Sequence, residues 1–281
     1  MLDFFQEFFS YTFIVRAVIV GSLVALCAAL LGVSLVLKRF SMIGDGLSHV
    51  GFGTITLGIG LNALGLNLAP LSVSLPLVII AAFLLLRISE NSKIKGDAAI
   101  ALISGSSLAI GVIIAAKTTG MNTDVCNYMF GSILAMKKDD VYLSIALSVV
   151  VLILFILFYH KIFAVTFDEA FARATGTKAG IYNMLVALLT AVTIVIGMRM
   201  MGALLISSLI IFPALTAMRV CKSFRPVTIL SAILSVTCFF TGMLLSFLYS
   251  TPAGASVVVV NLIVFCLFSL LGKIRKSGAT I

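Results

Sequence analysis

Charge is scarce in this chain: Asp, Glu, Lys and Arg together make up 10 % of its 281 residues, against 62 % hydrophobic ones. A soluble domain of that length needs far more charge to cover its surface, which argues against a soluble enzyme. The net charge of +9 could point to nucleic acid. It is better read as the Lys and Arg that collect in cytoplasmic loops of membrane proteins, so no nucleic-acid partner is expected. The five cysteines form no CxxC or other ligand spacing. No Pro- or Ser-rich linker divides the chain, and no internal repeat stands out, so residues 1–281 read as one transmembrane domain. The first residues carry Asp3 and Glu7 without a basic residue, unlike a cleavable signal. A Gly-x-x-x-x-Gly-Lys-Ser/Thr phosphate loop is also missing. Any ATP hydrolysis associated with this chain must therefore occur on another one, and the chain is not expected to be an enzyme.

Apolar runs, by contrast, recur from end to end. Each is near the ~20 residues that a hydrocarbon core demands. Nine spans are expected: Ile14–Leu37, Ser41–Leu64, Pro70–Leu86, Ala98–Ala116, Val141–Tyr159, Ile181–Gly197, Met200–Val220, Val227–Tyr249 and Ala255–Leu271. Run length selects helices over a barrel, whose strands need only ~10 residues and alternate polar with apolar. The expected fold is an all-α polytopic bundle in the cell membrane. With the N-terminus outside, only Arg16, Lys117, Lys137, Lys138 and Arg199 of the 19 Lys and Arg residues fall on the outer side. The other 14 fall inside, which sets an N-out, C-in orientation. The outer loop Lys117–Asp140 contains an apolar stretch, Tyr128–Met136, expected to form a short interfacial helix.

Two segments carry chemistry. The first is Gly44-Asp45-Gly46-Leu47-Ser48-His49. Asp45 and His49 stand at i and i+4 and share one helix face, with Ser48 beside them. Counting from Phe40 at ~1.5 Å per residue places His49 ~13 Å along, near the middle of a ~30 Å core. A charge at that depth faces a cavity or a pathway. Imidazole with carboxylate suits a divalent first-row ion. Packing alone is the competing reading, through an Asp–His hydrogen bond. Gly51, Gly53, Gly58 and Gly60 follow on the same helix and read as close-packing positions.

The second segment is the inner loop from His160 to Gly180. Thr166 reads as the N-cap of a short helix, Asp168 and Glu169 suit its first turn, and Gly176 its end. Phe167, Ala170, Phe171 and Ala174 make one apolar face, which calls for a partner surface. A helix resting on the bilayer is the alternative, but such helices are rich in Lys and Arg. This one has Arg173 alone.

Four blocks together give the chain a resemblance to the permeases of the zinc/manganese-type ABC importers. Leu35 to His49 is similar to the first signature of that family, and Phe130-Gly131-Ser132-Ile133-Leu134 to its outer-loop element. Phe167 to Gly176 resembles its coupling helix, and Gly202 to Ala214 its late Leu-rich, Pro-Ala motif. One departure is Val50-Gly51-Phe52-Gly53-Thr54, where family members often carry a proline.

The resemblance implies a permease homodimer with a single pathway. It also implies a cytoplasmic ABC ATPase below and an extracytoplasmic metal-binding receptor outside. Asp45 and His49, from their shared face and depth, are then expected to line the pathway and to touch the metal transiently or form part of its gate. Phe167, Asp168, Glu169, Ala170, Phe171 and Gly176 become the ATPase-coupling segment. The transported ion is then zinc by preference, with manganese or iron as alternatives, and no cofactor is bound permanently. A proton- or sodium-driven carrier is the main rival, although Asp45 alone is thin material for ion coupling. An intramembrane hydrolase built on Ser48, His49 and Asp45 has poor geometry, because adjacent helical residues point ~100° apart.

Overall fold

The computed structural model describes residues 10–66, 68–91, 96–118 and 138–277. Within them the chain forms eleven helices. In order these are α1 (Thr12–Leu37), α2 (Met42–Ala63), α3 (Pro70–Asn91), α4 (Gly96–Lys117), α5 (Lys138–Leu157), α6 (Tyr159–Phe167), α7 (Glu169–Ala174), α8 (Ala179–Met201), α9 (Ala203–Val220), α10 (Phe224–Tyr249) and α11 (Ala253–Ser277).

Seven of the nine expected spans each fall on one helix, whereas Val141–Tyr159 runs across the break between α5 and α6, and Met200–Val220 starts in α8 and crosses Gly202 into α9. By length and composition, six can cross a membrane: α1, α4, α8, α9, α10 and α11. The bent pair α5/α6 makes a seventh if taken as one span. Helix α2 is absent from that set because Asp45, His49 and its glycines dilute its hydropathy, and α3 contributes only the shorter apolar stretch Pro70–Leu85.

Burial orders the bundle. The most apolar stretches of α1 and α8 are each 67 % buried, whereas those of α4 and α11 are 22 % and 17 % buried, so the former are central and the latter peripheral. The main core joins Val24, Leu47, Ile55, Ile194, Leu209 and Ile210 across α1, α2, α8 and α9. Helix α1 runs antiparallel to α10, where Ser235 Oγ donates to the Ala25 carbonyl at 2.8 Å and Ser231 Oγ to that of Ala29 at 3.4 Å.

Helix α2 meets α4 along a seam of small residues. A Cβ at Gly46 would lie 2.5 Å from Ile100 Cγ2, one at Gly53 would overlap Ser107, and one at Gly60 would lie 2.8 Å from Ile114 Cγ2. The same offset at each step means that the two helices run parallel, with contacts repeating every seventh residue. The other flanking glycines of α2 meet Met198 (Gly51) and Pro70 (Gly58), as close packing requires.

Three local expectations need correction. The segment from His160 is not a loop: the chain continues as α6, bent 67° from α5. The short helix α7 is capped by Asp168 rather than Thr166, which lies inside α6. The Asp168 carboxylate accepts the Phe171 N–H at 2.9 Å, a bond the extended backbone at Asp168 allows. Finally, α8 and α9 are separated by Gly202 alone, with φ 88° and ψ 158°, a region open essentially to glycine. A Cβ on Gly197 would lie 2.5 Å from Ile206 Cδ1, although nine helical residues span ~13 Å, so the chain folds back there. Arg199 consequently sits in the last turn of α8 rather than in a loop.

Candidate functional site

The joint between α1 and α2 sets where the first candidate residues lie. Lys38 N–H donates to the Ser34 carbonyl, Arg39 N–H to Val36 and Phe40 N–H to Leu35, at 3.1, 3.1 and 2.9 Å. Arg39 adopts φ 61°, the left-handed conformation that usually falls to glycine at this point of a helix end. Helix α2 then starts at Met42, and Asp45 lies in its first turn, where the helix dipole favours a carboxylate.

His49 Nε2 lies 3.5 Å from Asp45 Oδ2, so the structure brings the i, i+4 pair together. The distance is long for a hydrogen bond and leaves both groups able to turn toward a third partner. Their side chains are 29 % and 48 % exposed, respectively, while their neighbours Gly44, Leu47, Ser48 and Val50 on the same helix are buried. His49 stands seven residues into α2, about 10 Å along its axis and nearer its start than its midpoint. Ser48 is buried and donates to the Gly44 carbonyl of its own helix at 2.8 Å, away from any role as a nucleophile beside His49. Among the described residues no third His, Cys, Asp or Glu completes a cluster with this pair. One carboxylate and one imidazole make a partial coordination sphere, short of the four ligands of a closed zinc site.

The second candidate segment presents two faces. Phe167 and Phe171 are 64 % and 65 % exposed, and Ala170 and Ala174 are exposed beside them. The opposite side buries Ala172 against Val165 and Ala179. Gly176 follows with φ 82°, ending the helix as expected. Behind the exposed face an aromatic string runs inward. Phe167 lies 5.4 Å from Phe163, and Phe163 lies 5.0 Å from Phe224 at the start of α10.

Glu169 does more than support its own helix. Its Oε1 accepts from Arg173 at 2.5 Å. Its Oε2 accepts from Asn183 Nδ2 at 3.1 Å and pairs with Lys38 Nζ at 3.5 Å. Lys38 also donates to Asn183 Oδ1. Burial alone would raise the Glu169 carboxyl. The hydrogen bonds from Asn183 and Arg173, with the charges of Lys38 and Arg173, outweigh it and hold the group below its ordinary 4.5. Lys38 and Asn183 were not singled out by sequence reasoning, because they are 145 residues apart and follow no spacing rule. The outer element Phe130–Leu134 and the stretch Tyr128–Met136 lie outside the described residues.

A sequence model of the ABC 3 transport family matches residues 10–272. The chain belongs to the ABC 3 transport family. The resemblance read from four sequence blocks thus extends over nearly the whole chain, and the protein is a multi-pass membrane protein. Within the ABC 3 family it is similar to the manganese import system permease protein ScaB of Streptococcus gordonii. The two are 28 % identical over 263 residues, covering 94 % of this chain and 92 % of ScaB. It is 31 % identical to the high-affinity zinc uptake system membrane protein ZnuB of Haemophilus influenzae over 192 residues, 68 % of this chain and 73 % of ZnuB. Its backbone is similar to a solved structure, PsaBC from Streptococcus pneumoniae in complex with Fab. The TM-score is 0.84 at 27 % identity, over 95 % of this chain and 94 % of that one.

Proposed function

We propose that this ABC 3 protein is the membrane permease of an ATP-driven importer for a divalent first-row metal ion. Zinc is the favoured cargo, with manganese and iron as alternatives. The observation that carries the reading is the Asp45–His49 pair. It is a half-exposed carboxylate and a partly exposed imidazole 3.5 Å apart, between buried residues of α2 such as Gly44, Leu47, Ser48 and Val50. Such a pair binds a borderline cation weakly, which suits a carrier that must release what it takes up. Similarity to permeases named for manganese and for zinc supports the same cargo class.

In this reading the nine apolar helices cross the membrane with the N-terminus outside, in a single domain. Two copies pair, and the partner copy or water completes the coordination of the ion. A metal-binding receptor docks on the outer side. The Phe167–Phe171 face meets a cytoplasmic ABC ATPase, with Asp168 and Gly176 fixing the ends of α7 and Ala170 leaving room for contact. A proton- or sodium-driven carrier is disfavoured, because it gives exposed Phe167, the last residue of α6, and exposed Phe171 of α7 no task.

The test is metal uptake by proteoliposomes holding the permease with its ATPase and receptor. Asp45→Ala and His49→Ala should each reduce radioactive zinc or manganese uptake to background while the dimer stays intact. Wild-type uptake by the double variant would remove the pair from the pathway. A wild-type complex that moves no divalent ion would remove the function itself.

A further inference from the structure

Lys38, Asn183 and Glu169 come from three separate elements and close a triangle of polar contacts. Lys38 is the C-cap of α1, Asn183 lies in the first turns of α8, and Glu169 opens α7. The triangle is partly buried, with the Lys38 side chain 17 % exposed and that of Glu169 35 % exposed. It lies on the side of α7 that faces the bundle, away from the exposed Phe pair. The connection from Lys38 to α2 has little slack. Backbone hydrogen bonds hold residues 38 to 40 onto the end of α1, and Ile43 N–H donates back to the Phe40 carbonyl at 3.0 Å. Asp45 follows Lys38 by seven residues. A displacement of Glu169 therefore pulls on the joint that sets the start of α2.

We infer that this triangle is the internal link through which movement of α7 reaches the helix carrying Asp45 and His49, with Lys38 as the positioning residue. The inference rests on the proposed function for its direction: the ATPase moves α7, and α7 moves the metal pair. An ammonium–carboxylate contact with a shared amide suits this task, because it holds orientation as well as distance. Lys38 touches no cargo. Its effect appears in how much cargo moves for each ATP hydrolysed.

The test uses the assembled complex of permease, ATPase and receptor in proteoliposomes, with two readouts. The first is metal delivered per ATP hydrolysed. Lys38→Met should lower this ratio by about tenfold or more, the scale of one lost charge-assisted hydrogen bond, while ATPase pull-down stays at the wild-type level. Lys38→Arg should restore much of the ratio. The double variant Lys38→Met/Glu169→Gln should be no worse than the more severe single variant, as expected for two ends of one contact. The second readout needs no cargo. A spin label at exposed Met42, paired with one on α10, should shift on nucleotide binding in the wild-type chain and stay still in Lys38→Met. A normal ratio in Lys38→Met, losses that add in the double variant, or an unaltered label shift each overturn the link. A wild-type complex that moves no divalent ion overturns the cargo reading instead, and the Met42 label then decides the link alone.

Discussion

Asp45 and His49 could be found from the sequence because two polar residues four apart interrupt an apolar run, and helical periodicity alone puts them on one face. Their depth was less legible. It depended on where α2 starts, and the left-handed turn at Arg39 moves that start to Met42. The Glu169 contacts were hidden altogether, because local spacing shows Arg173 and nothing of Lys38 or Asn183. These contacts predict a pH dependence. A carboxyl held below 4.5 in the folded chain contributes stability that is fully present above that value and is lost as pH falls through the lower folded-state pKa. Glu169→Gln should flatten this acid limb when Tm of the purified permease is followed from pH 6 downward (on the order of two to three units). An identical acid limb in the variant would mean that other carboxylates account for it.

At the scale of elements, run length and charge located the helices, while the joints escaped because they depend on single residues in context. The bend between α5 and α6 follows no Gly or Pro signal, and the fold-back at Gly202 is one residue long. The short helix α7 was legible as a helix with an apolar face, though its cap was placed two residues early. That face supplies a second prediction. Burying a Phe side chain contributes ~1.5–3 kcal/mol, so Phe171→Ala should weaken ATPase association by about one to two decades. Full recovery of the ATPase by the variant, with normal stimulation, would place the coupling surface elsewhere. The α2–α4 seam supplies a third. A side chain at Gly53 meets the backbone of Ser107, which has no rotamer by which to yield. Gly53→Val should therefore destabilise the permease by about 1–3 kcal/mol, read as a lower Tm in detergent. Gly105→Val, where a Cβ meets nothing within 4 Å, is the control and should leave Tm nearly unchanged.

For the whole molecule, the sequence pattern foretold a helical membrane bundle because hydropathy and run length leave almost no other option. Assembly is harder to read, since partners recognise surfaces rather than periodicity. In the proposed complex, the receptor docks on the outer segment Lys117–Asp140, whose last residues Asp139 and Asp140 lie in the first turn of α5. Reversing Asp139 and Asp140 to Lys should slow receptor association at low salt, because rim charges act chiefly on encounter rate. Unchanged association kinetics would assign docking to another outer segment. The parallel seam between α2 and α4 has a consequence for genetics. A helix fastened to its neighbour at Gly46, Gly53 and Gly60 cannot turn without carrying that neighbour along. Selections for altered ion preference, or for suppressors of a weakened His49, should therefore return changes at Ile100, Ser107 and Ile114. These α4 residues face the α2 seam glycines, so their effects reach the ion through the α2 backbone.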